Sequence, residues 1–352
     1  MTRKLPITNL LFFMLVSLSL SGQDIHFSHI HASPITLNPS MTGMFNDGDT
    51  RLIANSRLQW QNFTNGYKTV AASVDTKLFQ LDNTSVLSGG LQVISDRAGD
   101  LGFSTNIASL NIAVVKVLDR AERNHISFGM QGGYYQNKFD ISKMRGYGMD
   151  QLILDGLESN TNYWDLSAGL AWFYTIDPHN YFYLGASMFH INKPAVSFTE
   201  LETYAWDYDP EDSGKILFRK KVIHGGGQFR LAQYMTALPS FIWMDQGPHQ
   251  EIKMGSFVKF KRSRSFKKSD KALYLGAWVR WYVETDVFGM DAIDLSFRYD
   301  VKRTIFTFSF DVNISSLSRA SRYMGGPEFS VIQVLGGNNP RMKPNKVKCP
   351  IL

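Results

Sequence analysis

Hydrophobic and polar positions alternate with a period of two over most of the chain beyond residue 50, and most plainly from Tyr163 to Ile191. There Trp164, Leu166, Ala168, Leu170, Trp172 and Tyr174 alternate with Asp165, Ser167, Gly169, Ala171 and Phe173. A second arm sets Phe182, Leu184, Ala186 and Met188 against Tyr183, Gly185, Ser187 and Phe189. Successive strand side chains point to opposite faces, so each arm has one bulky apolar row and one mostly small or polar row. Asp177, Pro178, His179 and Asn180 between the arms are turn formers. The stretch predicts a β-hairpin whose arms are long enough to cross a bilayer when tilted.

The same alternation recurs along the chain. Leu52, Ala54, Ser56, Leu58 and Trp60 share a face, as do Val70, Ala72 and Val74, then Leu87, Gly89, Leu91 and Val93, then Ala108, Leu110, Ile112 and Val114. Further strands are expected near 220–231, 236–245, 249–260, 271–283, 290–300, 303–312 and 327–336, with Pro239 weakening the second of these. The total is about 14 strands, within a range of roughly 12–16. A small soluble barrel has about 8 strands, and a wider one has a lumen that Gly, Ser and Ala cannot fill. The bulky row therefore faces lipid and the small row, with Asp165, Arg280 and Arg298, faces a hydrated or plugged interior. A soluble β-sandwich is the competing reading of the pattern. The fold expected is all-β: a transmembrane antiparallel β-barrel with an irregular N-terminal lead-in and long extracellular loops.

Residues 23–50 lack periodicity and carry Pro34 and Pro39, which predicts an irregular lead-in, a plug or a periplasmic segment. If both chain ends lie in the periplasm, the odd-numbered connections are extracellular and longer. The connections near 138–162, 192–219 and 313–326 fit that parity, and 176–180, 232–235 and 301–302 are tight turns on the other side. The basic connection 261–270 is the exception; it reads as a solvated turn, or as a contact for anionic headgroups.

The first residues change the compartment. Arg3 and Lys4 precede an apolar run from Leu10 to Leu20, and Ser19, Ser21 and Gly22 precede Gln23. That is the layout of an export signal over 1–22. Gln23 stands where a lipoprotein would carry Cys, so no lipid anchor is expected. The barrel then occupies 51–336 and a tail 337–352. The formal charge of +6 falls to about +4 without the signal, which is too mild to imply nucleic acid. Aromatic residues make up 13 % of the chain and favour strands, while the single Cys349 leaves no intramolecular disulfide framework.

The sequence offers little catalytic chemistry. His190 and His224 fall in expected strands, and Ser187 precedes His190 by three residues, but no nucleophile-elbow motif is present. Gly225, Gly226 and Gly227 form a glycine run suited to close packing or a bulge. The segment 195–215 interleaves Glu200, Glu202, Asp207, Asp209, Glu211 and Asp212 with Tyr204, Trp206 and Tyr208. It reads as a solvated acidic loop, a protein-contact surface built on its aromatics, or a calcium site without EF-hand spacing. Tyr204, Trp206, Asp207, Tyr208 and Asp209 are the candidate partner residues. No catalytic, cofactor or metal residue is expected.

Several short motifs recur in the order of a known family. The lead-in carries Leu37, Asn38, Pro39, Ser40 and Gly43; the first strand carries Arg57, Gln59 and Trp60. Leu184, Gly185, Ala186 and Ser187 are followed by His190, Asn192 and Pro194. Tyr299 and Asp300 precede Asp311, Val312, Asn313, Ile314, Ser315, Ser316 and Leu317; Gly326, Glu328 and Ser330 open the last strand; Cys349 and Pro350 end the tail. In these pieces the chain resembles the PorP/SprF proteins, outer-membrane barrels linked to type IX secretion and gliding adhesins in the Bacteroidota. It departs in its terminal Ile351 and Leu352 and in Pro327.

The resemblance implies a non-enzymatic outer-membrane accessory or anchor. Its implied partners are a secreted cargo with a C-terminal export domain, type IX secretion components and outer-membrane lipid, with no cofactor. Arg57, Gln59, Asp311 and Asn313 are expected to support the lumen or its plug by hydrogen bonds. A passive porin or solute channel is the alternative, with an outer-membrane hydrolase behind it.

Overall fold

The computed structural model describes residues 24–25, 27, 32–59, 66–99, 102–145, 159–196, 216–261, 271–284, 287–315, 318 and 324–336. The strands in chain order are β1 (Thr50–Gln59), β2 (Tyr67–Gln80), β3 (Ser85–Ala98), β4 (Phe103–Val117), β5 (Asn124–Lys138), β6 (Asn160–Asp177) and β7 (Asn180–Phe189). They continue as β8 (Lys220–Arg230), β9 (Met235–Gln246), β10 (His249–Lys261), β11 (Lys271–Glu284), β12 (Val287–Val301), β13 (Thr304–Asn313) and β14 (Met324–Leu335). Each pairs antiparallel with its chain neighbours, and β1 pairs with β14 from Thr50↔Leu335 to Arg57↔Glu328, closing the sheet. Closure removes the unpaired edge that a membrane would not tolerate.

Alternation along each strand sorts the side chains as the sequence predicts. On β4, Leu110 is 67 % exposed on the outer wall while Ser109 beside it is 2 % exposed. On β6, Trp164 is 70 % exposed and Asp165 is 2 % exposed. The outer row is thus a belt of large apolar residues, which only hydrocarbon can cover. Tyr134 and Trp164 meet edge to face at one end of this belt, and Trp172, Tyr174 and Phe182 cluster at the other. From Trp164 to Tyr174, at ~3.3 Å per residue and a tilt of roughly 40°, the belt is about 25 Å tall.

Pro239 lies inside β9, where the sequence left doubt. It pairs with Ser256 of β10, but the β8–β9 ladder skips from Gly226↔Ser240 to Phe229↔Ala237. A proline has no N–H to offer, and the gap on its β8 side is the consequence.

The connections divide the barrel into two rims. Thr50 and Leu335 share one rim with the tight β6–β7 and β12–β13 turns; the β5–β6, β7–β8 and β13–β14 connections lie at the other, the long-loop rim. Two odd connections depart from the expected parity, since only residues 247–248 separate β9 from β10 and only 285–286 separate β11 from β12. The longest connections of the long-loop rim are therefore β5–β6, β7–β8 and β13–β14, while residues 262–270 make the β10–β11 connection the long exception at the short-turn rim.

Candidate functional site: the lumen and the segment threaded through it

The lead-in runs lengthwise inside the barrel. Asp24 sits at the long-loop rim, where its carboxylate accepts from His190 Nε2 at 2.7 Å and from Gln246 Nε2 at 3.1 Å. Deeper in, Phe27 packs on Ala71 and Ile94, and Leu37 on Phe189, Val222 and Ile242. Met41 and Met44 then meet Val115, Ala171, Phe173, Tyr181 and Tyr183, and Asp49 reaches the short-turn rim, its amide donating to the Leu335 carbonyl. Bulky inward residues such as Phe173 stand where apolar lead-in side chains need partners, whereas Leu238, Phe257, Tyr274 and Trp278 form an inward cluster of β9, β10 and β11 without a lead-in member. A start for the described chain at the long-loop rim differs from the expectation of both ends in the periplasm; the wall itself still begins and ends at the short-turn rim.

Two very short helical turns shape this segment, α1 (Pro34–Leu37) and a 3-10 turn at Pro39–Met41. The two prolines stand at N1, where the missing N–H costs nothing. Asn38 caps the second turn, accepting from the Ser40 amide at 2.9 Å. Its Nδ2 donates to the wall carbonyls of Leu170 and Ala186 at 3.1 and 3.2 Å and lies 2.9 Å from His224 Nε2. The wall gives way here because it has no side chains: a Cβ on Gly169 would collide with the Asn38 carboxamide, and one on Gly129 with Pro39 and Ser40. Gly129 and Gly169 are direct partners across β5 and β6, so they form one socket.

Other bonds tie the segment to β1, β2, β5 and β7. Ser187 Oγ donates to the Leu37 carbonyl at 2.8 Å, Ser127 Oγ to the Ser40 carbonyl at 2.6 Å, and Asn55 Nδ2 to the Ala32 carbonyl at 2.9 Å. Asp75 accepts from the Gly43 amide at 2.7 Å and is gripped by Arg51 Nε and Nη2 at 3.0 and 2.8 Å. Arg51 also donates to the Met41 carbonyl at 3.2 Å. A backbone segment inside a barrel must have its polar groups satisfied by the wall, and these bonds do that.

At the long-loop rim His190, left-handed at φ 57°, bridges two carboxylates: Nδ1 to Asp165 at 2.8 Å and Nε2 to Asp24. Burial alone would lower the His190 pKa, but Asp24 and Asp165 overcome it and raise it to about 9. Burial would raise Asp24, but His190 and Lys220 overcome it and hold its carboxyl below the usual range. Ser187, engaged with Leu37, and His190, engaged with two acids, do not form a nucleophile–base pair.

Across the lumen an ion network joins β1, β11, β12, β13 and β14. Asp311 Oδ2 receives Arg57 Nη2 at 2.9 Å and Arg280 Nη1 at 3.2 Å; Arg57 Nε also faces Glu328 at 3.8 Å, and Arg280 Nε reaches Asp291 at 2.6 Å. Lys253 and Asp294 pair at 2.6 Å nearby.

Of the residues singled out from sequence, Asn38, Pro39 and Gly43 sit on the threaded segment, His190 on its rim contact, and Arg57, Asp311 and Glu328 in the ion network. Gln59 is only half-buried at the end of β1. Asn192 shapes the start of the β7–β8 connection, bonding the Leu166 amide and Trp164 carbonyl, and Pro194 accepts from the Leu217 amide. Asn313 holds a local turn through Ser315, and Gly326 lies so close to the Leu58 carbonyl that a Cβ would clash. Trp60, Tyr204, Trp206, Asp207, Tyr208, Asp209, Cys349 and Pro350 lie outside the described residues. Sequence reasoning missed Asp24, Asp75 and the glycine socket. Asp75, Gly129 and Gly169 were present as polar or side-chain-free positions on the inward row, but nothing local says which of these meets the lead-in, and Asp24 falls in the stretch without periodicity. Among the described residues no group of three or more His, Cys, Asp or Glu is placed to hold a metal.

A family model described as type IX secretion system membrane protein PorP/SprF matches residues 19–326. A search of curated proteins finds no match. Among solved structures the chain is similar to the CymD monoaromatic hydrocarbon channel, at 10 % identity and a TM-score of 0.50 over 92 % of this chain and 98 % of that one. It is also similar to the Pseudomonas putida toluene transporter TodX, at 8 % identity and a TM-score of 0.46 over 90 % and 98 % of the two chains. At such identities the likeness to CymD is one of fold, an outer-membrane type of barrel.

Proposed function

Because the chain belongs to the PorP/SprF family of type IX secretion system membrane proteins, we propose that it is a non-enzymatic accessory or anchor of that system. In this reading it supports export and surface attachment of large cargo, such as gliding adhesins, and contacts other secretion components. Residues 1–22 are removed as an export signal, and the barrel lies in the outer membrane. The observation that carries the reading is the lead-in bonded to the lumen wall from Asp24 to Asp49. A barrel so occupied suits a holding role better than steady passage of solutes, which argues against the porin alternative. The long β5–β6 and β7–β8 connections, with the β13–β14 connection, share one rim and supply the contact surface, with Tyr204, Trp206, Asp207, Tyr208 and Asp209 as anchors on the β7–β8 connection.

Deletion of residues 200–212 tests this directly. The barrel still folds and reaches the outer membrane, while the protein that co-purifies with it, identified from native membranes, is lost from the cell surface. Unchanged display would overturn the docking role. In planar bilayers the purified barrel shows no steady open conductance; a stable ohmic channel would favour the porin.

A further inference from the structure

On the outer wall a line of cations runs along the long-loop rim. Lys68 of β2, Arg97 of β3 and Lys138 of β5 are exposed and share the outward row of their strands with Val70, Val93 and Met130. The ladder sets them side by side around the barrel: Lys68 is the direct partner of Arg97, Arg97 of Ser104 on β4, and Ser104 of Lys138. At ~4.8 Å between strands the three charges fall within about 14 Å.

No carboxylate answers this line. Among the described residues none of the three cations has one within ion-pair distance, and the outward rows of β2 to β5 carry no acid. Asp96 faces inward and accepts from Thr69 Oγ1 at 2.5 Å. Asp140, beyond the end of β5, accepts from the Ser142 amide at 3.0 Å and faces Lys143. Like charges directly opposite on one face of a sheet repel, as Lys68 and Arg97 do here. The rim does not tolerate this everywhere: on the outward row of β8, Lys221 pairs with Asp245 of β9 at 3.1 Å.

The same strands carry two further layers below the cations. The next outward row is Ser95, Asn106 and Gln136, direct partners in turn, with Ser95 Oγ donating to Asn106 at 2.8 Å. Beneath it Val93, Ala108 and Tyr134 begin the apolar belt. From this layering we infer that the β2–β5 sector of the outer wall binds a phosphorylated, acylated glycolipid of the outer leaflet. Its phosphate lies on Lys68, Arg97 and Lys138, its sugar hydroxyls and amides on Ser95, Asn106 and Gln136, and its acyl chains on the belt. Arg97 offers a planar fork to phosphate oxygens and the two lysines act as point charges. The ligand is a lipid and not a free anion, because the charges stand directly above hydrocarbon-facing side chains of their own strands. The inference rests on a barrel in the outer membrane with its long-loop rim outward, and not on a cargo role.

The test adds lipid A, with and without its phosphates, to the purified full-length barrel in phosphatidylcholine nanodiscs and follows bound lipid by native mass spectrometry. Wild type binds lipid A saturably and the dephosphorylated form about ten- to hundredfold more weakly, as expected for charge-assisted contacts. Arg97→Gln weakens lipid A binding to a similar degree, about ten- to hundredfold, and Lys68→Arg retains it. Lys221→Gln, at a cation already paired with Asp245, changes it by no more than about twofold. Should Arg97→Gln fail to fold, the wild-type comparison of the two lipids still decides. Absence of saturable binding, equal binding of the two lipids, or unchanged binding in Arg97→Gln overturns the site. Phosphatidylglycerol held as tightly as lipid A, and lost in the same variant, would assign the row to anionic phospholipid and overturn the glycolipid. Deletion of residues 200–212 leaves lipid A binding unchanged and Arg97→Gln leaves the co-purifying protein in place, so failure of the lipid site is distinguished from failure of the docking role.

Discussion

His190 Nε2 lies 2.7 Å from the carboxylate of Asp24, a contact that joins the end of β7 to the first described residue of the threaded lead-in. Asp165 holds the other ring nitrogen at 2.8 Å. The imidazolium is therefore the fastening of the segment at the long-loop rim, and its strength depends on protonation. The His190 pKa rises from 6.5 to about 9 on folding, so its contribution is complete below pH 6.5 and is lost as pH rises through 9. Asp24 is shifted down from 3.8, so its contribution is present above that value and is lost only as pH falls toward its lowered pKa. His190→Gln should thus be most destabilising near pH 5–6 and indistinguishable from wild type above pH 9. The check is the difference in thermal unfolding across that range, with hydrogen exchange of residues 24–37 reporting the local release. A difference independent of pH would refute the fastening.

The glycine socket gives a second expectation. A leucine at Gly169 would occupy the space of the Asn38 carboxamide, which cannot move without leaving the Leu170 and Ala186 carbonyls. Gly169→Leu should keep the barrel, since the β5–β6 and β6–β7 ladders are made by backbone groups, but unseat the lead-in. Asn38→Ala should cost roughly 1–3 kcal/mol by stranding buried acceptors. Intermittent conductance in planar bilayers, absent from wild type, is the expected readout for both; a silent Gly169→Leu barrel would place the seat elsewhere.

Much of this architecture could be read from the chain because a membrane barrel obeys a period of two. Leu110 and Ser109, or Trp164 and Asp165, declare their faces locally, and closure into about 14 strands follows from counting such runs. The lead-in was opaque for the opposite reason. Asn38 is held by Leu170, Ala186 and His224, and Asp24 by His190, partners more than 130 residues away that no local pattern names. Glycines such as Gly169 were legible as small inward positions but not as a socket. The pairing of Arg57 with Asp311 closes the first strand against the thirteenth across the last; the sequence marked both residues without saying that they meet.

Asp311 is the centre of the ion network, shared by Arg57 and Arg280. Neutralising it leaves two guanidinium groups with one fewer carboxylate in a buried site, and breaking such a pair costs about 3–5 kcal/mol. Asp311→Asn should lower the urea midpoint of the refolded barrel accordingly. Arg57→Met should cost less in the Asp311→Asn background than alone, because the two act on one interaction. Additive effects in that cycle would show the contact to be incidental.

The outer wall can be calibrated on a single strand. Leu110 is the middle residue of β4 and the most exposed apolar side chain on it, while Lys116 occupies the same outward row six residues nearer the short-turn rim. If that row faces hydrocarbon, position 110 lies at the bilayer centre and position 116 at the headgroups, where a lysine extends its ammonium to water. Leu110→Arg should then cost about 2–4 kcal/mol in urea titrations of barrels folded into phosphatidylcholine vesicles. Lys116→Leu on the same strand should stay within about 0.5 kcal/mol. The contrast depends only on depth, because both side chains leave the same face of the same strand. Equal costs at the two positions, or a tolerated Arg at 110, would mean that water, not lipid, covers the apolar belt.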